Sequence, residues 1–82
     1  MFTVYVLYSL SHDKIYIGYT GNLPERIKSH NELGEKGWTR SFRPWELIYS
    51  EGFGDKASAL RREKELKSFR GREWIRNELL AC

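Results

Sequence analysis

Two β-branched and aromatic runs, Phe2-Thr3-Val4-Tyr5-Val6-Leu7-Tyr8 and Ile15-Tyr16-Ile17-Gly18-Tyr19-Thr20, flank a short polar stretch around Ser11-His12-Asp13. Strand formers at that separation predict an antiparallel hairpin. Both runs are nearly continuous in apolar character, so at least one is expected to be a central strand covered on both faces. If the turn has four residues, Leu10 to Asp13, then Ser9 pairs with Lys14 and Leu7 with Tyr16. Tyr5 and Tyr16 then share one face of the sheet, and a slip of one residue would separate them.

The rest of the chain must supply the cover. Asn22 reads as an N-cap, with Pro24 in the first turn and Glu25 in capping-box position. The helix it starts turns Leu23 and Ile27 inward, with His30 on the same side, and is expected to end near Gly34. Gly34 to Arg43 is a polar, glycine-bearing loop. Trp45-Glu46-Leu47-Ile48-Tyr49-Ser50 reads as a third strand with Pro44 at its start. Asp55 caps a second helix expected to reach Phe69. A third, Arg72 to Leu80, sets Trp74, Ile75 and Leu79 at helical spacing. The order β-β-α-β-α-α predicts an α+β fold, a small three-stranded, mainly antiparallel sheet flanked by helices.

At 82 residues the chain is expected to form a single domain, residues 1–82. Apolar residues make up 40% and aromatics 15%, too much for a disordered chain. The one cysteine, Cys82, excludes a disulfide framework and a cysteine-rich zinc site. No apolar run approaches the roughly 20 residues of a membrane span, and the N-terminus lacks the pattern of a signal peptide. A cytoplasmic location is the expectation. The net charge of +3 is too small to prove a nucleic-acid partner. Its local pattern is more suggestive, with Arg40 and Arg43 around Phe42, then Arg61, Arg62, Lys64, Lys67, Arg70, Arg72 and Arg76. Trp38, Phe42, Trp45, Phe69 and Trp74 are interleaved with these basic residues, a combination suited to phosphates and stacked bases. A solvated helix face with i,i+4 pairs such as Glu63–Lys67 has the same composition.

Three groups of residues break the pattern of their own elements. On a helical wheel Glu63 falls between Ala59 and Leu66 on one side and Leu60 on the other, near the middle of the inward stripe. A carboxylate there needs a partner; that partner is a metal cation or a base such as Lys67. Arg26 and His30 share a helix face at i,i+4 beside the Leu23/Ile27 stripe, where they either bind a phosphate and move a proton or rim the core. Tyr5, Tyr8, Tyr16 and Tyr19 crowd the hairpin, as ordinary cross-strand packing or as functional phenols.

Thr3-Val4-Tyr5, Tyr16-Ile17-Gly18 eleven residues on from Tyr5, then Asn22-Leu23, Arg26 and Glu63 together resemble the GIY-YIG nuclease family. The short stand-alone bacterial members are most similar, and the catalytic domain of the excision-repair incision subunit is a relative. Tyr16 to His30 and Ala59 to Lys67 carry most of the likeness, while Thr3 and Val4 replace the Gly and Ile of the first motif. The resemblance implies an endonuclease acting on DNA, branched or single-stranded substrates included, selective for structure rather than sequence. It makes Tyr5 and Tyr16 the paired tyrosines, Arg26 the phosphate-binding arginine, and Glu63 the ligand of one Mg²⁺ or Mn²⁺ ion. His30 falls where many members carry a His or Tyr close to the attacking water. Tyr19 falls at a position some members give to lysine, and Asn77 is the candidate for a late asparagine. With Arg40, Arg43 and Lys67 these two complete the expected nucleic-acid contacts.

Two other functions fit the same residues. One is a module of the same fold that binds nucleic acid without cutting it, for which the altered first motif argues. The other is a subunit that docks a protein through Trp38, Phe42 and Trp45.

Overall fold

The computed structural model describes residues 1–28 and 44–80. Strand β1 (Phe2–Ser9) and strand β2 (Lys14–Thr20) form the hairpin. Their register pairs Ser9 with Lys14, Leu7 with Tyr16 and Tyr5 with Gly18, as a four-residue turn requires. Asp13 closes that turn in the left-handed region, at φ 51, which short polar side chains tolerate better than most. The Tyr8 hydroxyl donates to the Asp13 carboxylate (2.8 Å), and Arg76 donates to both the Asp13 side chain (2.7 Å) and its carbonyl (3.2 Å). The far end of the chain therefore holds the hairpin turn.

Helix α1 is described over Leu23–Lys28; its expected end near Gly34 lies outside the described residues. Strand β3 (Glu46–Phe53) starts one residue later and runs three residues further than its apolar pattern suggests. It pairs antiparallel with β1, which sets the strand order β2-β1-β3. Pairing passes from Val6–Tyr49 to Leu7–Leu47, so Ile48 is the extra residue of a bulge.

Helix α2 (Lys56–Lys67) begins at Asp55, whose carboxylate accepts from the backbone and side chain of Ser58. It stops two residues short of the expected Phe69. Ser68 is extended there, and its hydroxyl donates to the Glu65 carbonyl (2.6 Å) while accepting from the Gly71 amide (3.1 Å). One side chain thus ends α2 and caps α3 (Phe69–Trp74), which starts three residues earlier than predicted and continues into a π-helical turn, Ile75–Leu79. Among the described residues no helix is long and apolar enough to cross a membrane.

The central strand is β1, and Val4, Tyr5, Val6 and Leu7 are all fully buried. Val4 and Val6 point to one face and meet Ile17 of β2 and Ala59, Leu66 and Ile75, the cover supplied by α2 and the π turn. Tyr5 and Leu7 point to the other and meet Trp45, Tyr16, Leu23 and Ile27. This is the α+β architecture expected, with α1 and α2 on opposite faces. Trp74, placed inward by its spacing, is 37% exposed and packs edge-on against Tyr49 at the core margin (5.4 Å between centroids).

Gly71 marks the closest approach of α3 to α2. A β-carbon there would collide with the Glu65 carbonyl and the Leu66 backbone, which cannot yield as a side-chain tip can. Gly71→Ala is expected to destabilise the fold by about 1–3 kcal/mol, the usual cost of overpacking. A urea-unfolding midpoint equal to wild type would refute this tight contact.

Candidate active site

The site begins with a short run of local hydrogen bonds. The Thr20 hydroxyl accepts from the Asn22 amide (3.0 Å), the Asn22 side chain accepts from the Glu25 amide (3.3 Å), and the Arg26 amide reaches the Asn22 carbonyl (3.1 Å). These bonds start α1 directly after β2. Leu23 and Ile27 then anchor the helix on the Tyr5/Leu7 face, which leaves Arg26, between them in sequence, at the margin of that core.

Arg26 Nε donates to the Tyr5 hydroxyl at 3.4 Å. Tyr5 and Tyr16 lie roughly parallel, with ring centroids 6.1 Å apart and planes 27° from one another. Trp45 closes the other side of Tyr16, edge-on at 6.2 Å. Trp45 is only 3% exposed, so it is a wall of this cluster and offers no free surface for stacking bases or docking a protein. The sequence pattern had allowed it either role.

Gly18 gives the two phenols their space. It pairs directly with Tyr5, and a β-carbon at that position would stand 2.8 Å from the Tyr5 hydroxyl and 3.0 Å from the edge of the Tyr16 ring. Gly18 was not among the predicted site residues. The available signal was a glycine inside an otherwise β-forming run, which often marks a close approach.

Burial pushes the Tyr5 phenol up to about 12, although the hydrogen bond from Arg26 pulls the other way. Desolvation outweighs the guanidinium beside it, so the phenol keeps its proton at neutral pH and is no base there. Arg26 itself is held above its ordinary value, first by the Tyr5 hydroxyl and then by Tyr16. It stays charged at every relevant pH.

Glu63 belongs to α2, on the opposite face of the sheet. Its side chain is 17% exposed and pairs with Lys67 at 3.7 Å. The neighbouring Arg62 donates to Glu51 of β3 (3.0 Å), so that flank of α2 faces β3. At about 100° per residue, Glu63 and Lys67 fall on the other side of the inward stripe. With the strand order β2-β1-β3, this is the β2 side, the edge that carries Tyr16 and Gly18. Among the described residues no group of three or more His, Cys, Asp and Glu could hold a metal ion. A lone, mostly buried carboxylate suits a hard cation that keeps most of its water, as Mg²⁺ does.

Two of the remaining candidates, Tyr19 and Asn77, are not drawn into this cluster. Tyr19 points to the α2 face and packs against the core there, away from Tyr5 and Tyr16. Asn77 is exposed in the π-helical turn. His30, Arg40 and Arg43, with Trp38 and Phe42, lie outside the described residues.

Residues 1–76 match the GIY-YIG catalytic domain. The chain belongs to that family, whose fold is nuclease-type. It is 42% identical over 57 residues to a UPF0213 protein of Staphylococcus haemolyticus, covering 70% of either chain. A UPF0213 protein of Natronomonas pharaonis is 40% identical over 65 residues, which is 79% of this chain and 75% of the relative. The solution NMR structure of a UPF0213 protein from Bacillus halodurans superposes with a TM-score of 0.54 at 33% identity, covering 92% of this chain and 82% of the other.

The raised Tyr5 value has a measurable consequence. A phenol whose folded pKa exceeds its unfolded value stabilises the fold below the unfolded value, and that contribution is lost as pH rises through the folded one. Wild-type stability should therefore fall between pH 10 and about pH 12 more steeply than that of Tyr5→Phe. Identical pH dependence of the two melting temperatures would mean that Tyr5 titrates as a solvent-exposed phenol.

Proposed function

We propose that this chain is an endonuclease that uses a divalent metal to hydrolyse DNA phosphodiester bonds in the cytoplasm, its 82 residues acting as one domain. The observation that carries this reading is Arg26 held beside the Tyr5 hydroxyl, with a second phenol stacked behind it. A permanently charged guanidinium fixed at the margin of an aromatic cluster is a seat for a phosphate.

Hydrolysis forms a bond from a water oxygen to phosphorus and breaks the bond to the leaving 3′ oxygen. The water gives up a proton, and negative charge builds on the non-bridging and leaving oxygens. Arg26 Nε is engaged with Tyr5, so its terminal Nη groups are the donors that grip the non-bridging oxygens. Tyr5, protonated at neutral pH, accepts from Arg26 and fixes the plane of the guanidinium. Tyr16 orients the water or the phosphate, and His30 takes the proton from the water. Glu63 is the carboxylate that would hold Mg²⁺ or Mn²⁺, which when bound supplies charge stabilisation for the leaving oxygen.

Substrate selection on this reading follows structure more than sequence. The basic residues of α2 and α3 contact phosphates, which position a duplex but carry no sequence information. Branched and single-stranded DNA are therefore the first substrates to test.

Arg26→Lys separates this role from a structural one. Lysine keeps the charge but loses the planar fork, so the phosphate is attracted without being oriented. Single-turnover cleavage should fall by about 2–4 kcal/mol of transition-state stabilisation, while DNA binding changes little. Glu63→Gln should abolish metal-dependent cleavage with the fold retained. Near-wild-type cleavage by the lysine variant would remove Arg26 from the chemistry, and full activity of the glutamine variant would remove Glu63.

A further inference from the structure

We infer that Lys67 is the built-in counter-cation of Glu63: it occupies the carboxylate when no divalent ion is bound and must be displaced for one to bind. This rests on Glu63 being the metal ligand of the proposed nuclease.

Three observations support it. Glu63 lies on the β2 flank of the inward stripe of α2 with its side chain only 17% exposed, a position where an uncompensated carboxylate is costly. The compensation comes from Lys67, one helical turn on, with its ammonium 3.7 Å from the carboxylate. The Lys67 side chain is 47% exposed, so it can leave the carboxylate for water, or for a phosphate, without disturbing the core. A distance of 3.7 Å to a half-exposed ammonium is also the geometry of a weak pair, which a divalent charge can outcompete. The Lys67 backbone is held separately, since its carbonyl accepts from Arg72 Nε at 3.1 Å. The helix end is thus pinned independently of where the ammonium goes.

The consequence is an exchange of cations. A bound divalent ion takes the carboxylate and repels the ammonium, which is freed on the β2 flank where the scissile phosphate is expected. Lys67 therefore holds the Glu63 carboxylate in place in the empty protein, weakens metal binding in the absence of DNA, and is available to the phosphate once the metal is in place. The glutamate side of α2 thereby has a different function from the Arg62–Glu51 side, where the ion pair joins helix to sheet.

The test is Mn²⁺ binding to the full chain without DNA, followed by loss of the free-ion electron paramagnetic resonance signal. Lys67→Met should bind Mn²⁺ roughly two- to fivefold more tightly than wild type, the sum of a lost weak pair and a lost repulsion. Lys67→Arg, which keeps the charge, should stay near wild type. Lys64→Met removes the same charge from the exposed face of the same helix and should also stay near wild type. Unchanged or weaker binding in Lys67→Met, or equal tightening in Lys64→Met, would overturn the inference while leaving Glu63 as the ligand. If Glu63→Gln binds Mn²⁺ as wild type does, the metal site itself is misassigned and the role of Lys67 falls with it.

Discussion

Strand β1 has no solvent side, and the placement of the tyrosine cluster and of the helices on either face follows from that. Val4 and Val6 require a helical cover on one face, which Ala59, Leu66 and Ile75 supply; Tyr5 and Leu7 require another, supplied by α1 and Trp45. Each fully buried aliphatic side chain contributes about 1.5–3 kcal/mol, so four consecutive buried positions dominate the energetics of a chain this short. A one-residue slip against β2 would exchange the two faces at once. The hairpin register therefore holds the core and the tyrosine cluster together, and Arg76 adds a long-range hold on the turn that sets it.

The same burial determines the chemistry of Tyr5. Its phenol oxygen reaches the margin where Arg26 waits, but its ring lies in a dry cluster, and the cost of ionising there exceeds what the guanidinium returns. The cluster is thus a positioning device: a proton held on Tyr5, a charge held on Arg26 and a flat aromatic wall behind both. Glu63 comes from the helix on the opposite face, so a site that joins them lies at the β2 edge and not in the middle of a sheet face. A sheet of three strands makes this feasible, since its edge is never more than two strands, about 10 Å, from the opposite side.

Much of this could be read from the chain. The four-residue turn predicted the register, Asn22 and Asp55 announced their helices, and the continuous apolar run of β1 announced a strand with two covers. What could not be read were the features set by tertiary contact. The second helix was expected to run through Ser68 to Phe69, and its earlier break depends on a serine hydroxyl that finds the Glu65 carbonyl and the Gly71 amide together. Trp45 looked like an aromatic available for stacking because Arg40 and Arg43 stand close before it in sequence. Its burial comes from Tyr16 and Leu7, both more than 25 positions away in sequence. Gly18 carried a local signal whose meaning required knowing that Tyr5 lies directly across the ladder. The Tyr5 pKa depends on a balance between burial and a charge 21 residues away, and no local pattern reports that balance.

In the proposed nuclease, Glu63 and the Tyr5–Tyr16–Arg26 cluster share one site around the β2 edge. Paramagnetic broadening by Mn²⁺ in the ¹⁵N-labelled protein tests it most directly, because the effect falls steeply with distance and requires no substrate. The amide signals of Tyr16, Gly18, Arg26 and Glu63 should disappear together at low Mn²⁺, while those of Glu51 and Trp74 on the β3 flank persist. Broadening at Glu63 with Gly18 and Arg26 untouched, or broadening centred on the β3 flank, would contradict the account.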